Sequence, residues 1–168
     1  NWAEVREMDA SGVIQIASHS LTHGNVFINA DYNGFIQPGP RHRAFDRLDY
    51  PRHIPWGLPN FSTKGALRFR AFLPSDYLLE GIQEIVPQDK AQAYRFFQDE
   101  ANVNRLKDFV AGIPKEKLGQ YESDAALSGR LEYDMVSGKK RLEAELRRPV
   151  RTLCWPWGRY MPEALNAA

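Results

Sequence analysis

Cysteine is almost missing from this chain. Cys154 stands alone among 168 residues, so no disulfide can close within it, which fits a reducing compartment. Charge of one sign is missing too. The 22 Lys and Arg against 21 Asp and Glu leave a net +1, which excludes the basic footprint of a nucleic-acid binder and gives no pull toward a charged membrane surface. No apolar run approaches the ~20 residues that span a bilayer. No charged segment followed by an apolar one opens the chain, so no signal peptide is read, and cytoplasm and cell envelope both stay open. Internal repeats, low-complexity tracts and any Asp-Asp pair are absent as well.

What is present is an ordinary globular composition, 43% hydrophobic and 26% charged, long enough for one domain with a real core. The ends are unusual. The chain starts at Asn1 inside a helix-like pattern and stops soon after "MPEALNAA", which reads as a helix just beginning. A piece of a longer protein is the expectation.

Residues 1–12, "NWAEVREMDASG", predict a short helix. Asn1 and Glu4 form a candidate capping box, Trp2, Val5 and Met8 an apolar face, and Gly12 a left-handed stop. "VIQIAS" has the composition and length of a buried strand. Residues 24–62 hold many of the glycines and prolines and read as loop, though seven aromatics argue against disorder. "ALRFRAFLP" has strand character. Residues 75–86 and 88–111 predict two helices. The longest helix should follow Ser123, with Leu127, Leu131, Met135, Leu142 and Leu146 on one stripe and Pro149 beyond its end. "VRTLCW" reads as a short strand and "PWGRY" as a turn. The order of elements alone supports a mixed α/β class.

The chemistry concentrates in "VIQIASHSLTHGN", residues 13–25. His19 and His23 lie four apart where a strand ends. On a helical turn that spacing puts two imidazoles on one face, within reach of one metal ion, and zinc takes neutral imidazole readily. The same spacing also arises by chance, with both rings hydrogen-bonding locally. The motif lacks the glutamate of the zinc-protease signature.

The wider context narrows the choice. "WAEVREMDASGVIQIASHSLTH" resembles the second motif of the NodB-like polysaccharide deacetylases, carbohydrate esterase family four. There a helix leads into a strand ending in "SHSxxH" or "SHTxxH". "SGKKRLEAELRRPVRTLCWPWGRY" resembles that family's later helix-then-strand segment, which ends in "YPYG.Y". The two matches occur in family order. Residues of about 27–118 resemble no part of the family core and would be an insertion, mostly loop and helix, in a single partial domain spanning 1–168.

The resemblance implies part of a distorted (β/α) barrel and a metal-dependent hydrolase acting on carbon–nitrogen bonds, removing acetyl groups from a polysaccharide or oligosaccharide. It implies that His19 and His23 are metal ligands, most readily of zinc, with Ser18 and Thr22 supporting their turn. Pro156, Trp157 and Gly158 would form a substrate wall, with Tyr160 beside it. Cys154 stands where the family often has an arginine. The family's aspartate base, its third metal ligand and its histidine acid match nothing here. They are expected outside the chain, so this chain alone should be inactive, and as a partial barrel it should be poorly stable or self-associate. Asp31, Asp46 and Asp49 are the candidates if the chain holds a third ligand itself. In the middle segment Phe35, Tyr50 and Trp56 could stack on sugars, and Arg41, His42, Arg43, Arg52 and His53 could bind polar groups, or these aromatics build a satellite core. Glu143 and Glu145 read as solvated helix charges. Two alternatives stand: a catalytically inactive carbohydrate-binding relative, and a non-catalytic α/β module in which the two histidines are accidental.

Overall fold

The structure is a computed structural model that describes residues 1–39, 48 and 53–168. Along the chain run α1 (Trp2–Ala10), β1 (Asn25–Phe35), β2 (Pro59–Gly65), β3 (Phe72–Pro74), α2 (Asp76–Ile85), α3 (Lys90–Phe96), α4 (Glu100–Ala111), β4 (Gly119–Tyr121), α5 (Asp124–Leu146) and α6 (Pro162–Ala167). They divide into two compact units. The first holds residues 1–24, 65–69 and 123–168; the second holds 25–64 and 70–122.

In the first unit, local signals act as the sequence predicts. Asn1 caps α1 by accepting from the Ala3 and Glu4 amides, and Glu4 returns the bond. Gly12 follows at φ +70°, a conformation that costs glycine least. Ser123 caps α5 by accepting from the Ala126 amide. The stripe of α5 is the core of this unit: Leu127, Leu131 and Met135 are buried with Leu67 and Ala164, and Leu153, Trp155 and Met161 pack against them. Arg130 pins the 65–69 segment by donating to the carbonyls of Ala66 and Phe69.

Two expectations for this unit need correction. "VIQIAS" is not a buried strand: Val13 is 87% exposed. A strand buried on both faces needs sheet neighbours. Among the described residues this run meets one, through a single parallel bridge from Ser18 to Leu153, and "VRTLCW" is likewise reduced to that bridge. The apolar face of α1 is also not buried. Polar contacts hold this helix instead. Arg6 reaches Glu145, and Arg148 forks onto both carboxylate oxygens of Asp9. Glu145 is therefore engaged, as is Glu143, which accepts from the Val150 amide.

The Asp9 pair predicts a pH dependence. Its hydrogen bonds to the Arg148 guanidinium hold the Asp9 carboxyl below its ordinary value of 3.8. A depressed carboxylate stabilises the fold above the unfolded-state value, and that contribution is lost as pH falls through the lower folded-state value. The difference in thermal midpoint between wild type and Arg148→Met should be constant above about pH 5 and shrink below it. A difference that does not change with pH would show that the pair adds nothing.

The second unit overturns the loop assignment for residues 24–62. β1 and β2 lie there and form a two-stranded sheet. β3 pairs antiparallel with β4, Phe72 opposite Tyr121 and Pro74 opposite Gly119. Only residues 72–74 of "ALRFRAFLP" become strand. The helix expected over 88–111 is two helices, because Asp89 caps α3 and Asp99 starts α4 with its own cap. The core gathers Phe27, Leu58, Phe61, Phe72, Leu78, Ile82, Leu106 and Val110, with Phe35 and Trp56 packed on it. These aromatics therefore contribute to a core. No helix among the described residues is long and apolar enough to cross a membrane.

Candidate functional site

The candidate site lies in the first unit, where the chain leaves the Ser18 bridge. Ser18 is buried; its amide donates to the Thr152 carbonyl, and its carbonyl accepts from the Cys154 amide. That pairing brings the start of the histidine turn beside residues 152–154. His19 then sends Nδ1 to the Cys154 carbonyl at 2.9 Å. A carbonyl only accepts, so Nδ1 is the donor, and in the neutral ring Nε2 keeps its lone pair. This is the arrangement in which an outer hydrogen bond fixes the tautomer of a ligating histidine. Cys154, which stands where the resembled family often has an arginine, acts here through its backbone carbonyl.

The turn itself is tight. Ser20 and His23 both have positive φ, 65° and 49°. Ser20 Oγ accepts from the His23 amide at 3.0 Å. Thr22 gives its amide and its hydroxyl to Asp134 Oδ1, and its Oγ1 accepts from the Gly24 amide. The imidazoles of His19 and His23 end 5.0 Å apart, tilted by 45°. Two imidazoles on one tetrahedral ion, each nitrogen at about 2.0–2.1 Å, have ring centres roughly 5 Å apart. The spacing therefore fits a shared metal. The ligand count is short: among the described residues no group of three His, Cys, Asp or Glu comes together.

The predicted wall stands beside the second ring. Pro156, Trp157 and Gly158 form a 3₁₀ turn, with Pro156 buried. Trp157 has φ 53° and is 54% exposed. A bulky residue in that conformation costs about 1–3 kcal/mol, and such strain concentrates at functional sites. Its ring meets His23 edge-on at 4.1 Å and lies over Gly65, where a Cβ would sit only 3.1 Å from the indole. Tyr160 is exposed and stacks on Trp155 at 4.5 Å. His19, His23 and Trp157 thus meet in one place, with the Trp155–Tyr160 pair close behind in sequence.

Other candidates do not join them. Asp31 lies on β1 in the second unit and pairs with Lys115. His53 is exposed in the second unit. Arg41, His42, Arg43, Asp46, Asp49, Tyr50 and Arg52 lie outside the described residues. Asp134 escaped the sequence reading. A signal was there: it falls seven residues after Leu127 and three after Leu131, on the apolar stripe of α5, where a carboxylate is out of place.

No protein-family model and no curated protein matches the chain. Solved structures do. One is a de-N-acetylase from Aggregatibacter actinomycetemcomitans, 18% identical, with a TM-score of 0.51; all of this chain aligns, over 37% of that one. Another is the deacetylase domain of BpsB from Bordetella bronchiseptica, 17% identical, with a TM-score of 0.49 and again 37% of its length covered. The chain thus spans little more than a third of the structures it matches. Its fold is mixed α/β and is similar to that of part of the de-N-acetylase structure.

Proposed function

We propose that this chain contributes two metal ligands and a substrate wall to a hydrolase that removes acetyl groups from a glycan, as part of a longer protein. The supporting observation is the His19–His23 pair: rings 5.0 Å apart, with the first tautomer set by the Cys154 carbonyl. The de-N-acetylase of similar fold directs the reading to an N-acetyl group.

His19 Nε2 and a nitrogen of His23 would hold zinc, whose Lewis acidity acts on an acyl carbonyl and on water. The chain's own residues do the rest of what it contributes. Trp157 closes one side of the pair against water and offers its exposed face to a sugar ring. Tyr160, rigid on Trp155, extends that surface. The general base and acid belong to other parts of the protein. Each typically contributes 10²–10⁴-fold, so these residues alone are a half-site.

A second reading has its own observation. The exposed Trp157 and the Trp155–Tyr160 stack are an aromatic surface that a non-catalytic glycan binder would use. Calorimetry with an N-acetylated hexosamine oligomer and its deacetylated counterpart separates the two. The deacetylase reading expects the acetylated oligomer to be preferred, binding to tighten with zinc, and Trp157→Ala to weaken it about tenfold, as loss of one aromatic contact would. Binding indifferent to zinc would move the conclusion to the second reading. No binding of either oligomer would sink both.

A further inference from the structure

A buried acid and a mid-helix glycine share one face of α5, and neither is explained by the helix itself. Asp134 is 3% exposed, on the stripe that otherwise carries leucine and methionine. Its Oδ1 accepts both the amide and the hydroxyl of Thr22, at 2.9 and 2.8 Å. Its Oδ2 is buried and makes no hydrogen bond among the described residues. Burying a carboxylate that way is costly, and an asparagine would supply the same acceptor more cheaply. What the charge adds is a stronger acceptor for the two Thr22 donors.

Those bonds bracket His23. Thr22 precedes it and is tied to Asp134, while Thr22 Oγ1 also accepts from Gly24, which follows it. His23, at φ 49°, is thus held from both sides in a conformation it would otherwise leave. One turn further along α5 comes Gly138. A Cβ there would lie 3.0 Å from the Leu21 nitrogen and the Ser20 carbonyl carbon. Any side chain there would push the turn's backbone back by a few tenths of an ångström, so glycine lets the turn rest this close to the helix. Gly129, on the same helix, has nothing within 4 Å of its virtual Cβ. A glycine inside a helix lowers its stability relative to alanine, and at 138 the close approach accounts for it.

We infer that Asp134 and Gly138 are positioning residues: together they seat the Ser20–His23 turn on α5 and set the angle at which the two imidazoles face each other. This rests on the proposed function only for its purpose; the seating itself is read without metal. The test takes the 15N-labelled chain and records long-range ring correlations of His19 and His23 with no metal added, then titrates zinc. Asp134→Ala should move and broaden the His23 ring signals, with far-UV dichroism unchanged. It should also weaken zinc binding about 10–100-fold, the usual cost of losing an outer support. Asp134→Asn keeps an acceptor and should restore the ring signals and most of the affinity. Gly138→Ala should displace the same signals, and Gly129→Ala should leave them in place. Ring signals at wild-type positions in both Asp134→Ala and Gly138→Ala would overturn the inference. If Asp134→Ala does not fold, Gly138→Ala against Gly129→Ala decides it alone. Wild-type protein that binds no zinc, but whose ring signals respond as expected, would sink the deacetylase reading and leave this one standing.

Discussion

Loss of either histidine should abolish zinc binding while the fold survives. His19 is exposed and gives one hydrogen bond to the Cys154 carbonyl, so His19→Ala should cost no more than about 1.5 kcal/mol. At position 23 the substitution needs more care. His23 has φ 49°, and asparagine tolerates that region better than alanine does. His23→Asn therefore separates ligation from backbone strain. In each variant the zinc affinity, measured by calorimetry, should fall by more than the 10–100-fold that an outer support alone is worth. Wild type itself should bind weakly, as two ligands of a site that needs three. Three results are distinguishable. Weak binding lost in both variants supports the half-site. Tight binding that survives one substitution would show a third ligand within the chain and end the half-site description. No binding by wild type would favour a non-catalytic role.

The largest effect on stability should come from Phe61. It is 2% exposed at the centre of the second unit's core. Its ring meets Phe27 at 5.3 Å, Phe72 at 5.4 Å and Tyr32 at 6.0 Å, each close to edge-on. Each such pair adds about 0.5–1.5 kcal/mol beyond area burial. Phe61→Ala removes all three and leaves a cavity that the surrounding strands cannot fill, a change that typically costs about 3–5 kcal/mol. That is a large part of the 5–15 kcal/mol an entire domain possesses. Phe61→Leu preserves much of the volume but loses the same ring pairs, so it should cost about 1–3 kcal/mol, less than the alanine change. Hydrogen exchange of the amides in 25–39, 59–64 and 70–122 against denaturant measures both. A loss below 1 kcal/mol in the alanine variant would show that this cluster does not hold the unit together.

Much of the first unit was legible in the sequence because its signals are local. The capping box at Asn1 and Glu4 acts within three residues. Ser123 and the leucine stripe announce α5 over its full length, and "PWG" turns where it was expected to. The histidine motif stood out through its spacing and its resemblance to the deacetylase motif, and the fold brings its two rings together. Strands were harder. β1 carries "NVFINADYNGF", whose exposed polar half hides the buried Val26 and Phe27. A strand is defined by its partner, and its partner β2 begins more than twenty residues later. "VIQIAS" shows the converse: strand composition with a single bridge to form.

For the candidate site, the sequence by itself put forward the residues that the fold then brings together: two imidazoles four apart, and a tryptophan in a tight turn. Only the tertiary structure decided how they are held. The tautomer of His19 depends on a carbonyl 135 residues away, and the seating of His23 on a carboxylate 112 residues from Thr22. Propensity and periodicity act between near neighbours along the chain. These bonds form between segments that only folding brings together, so no window of sequence contains both partners.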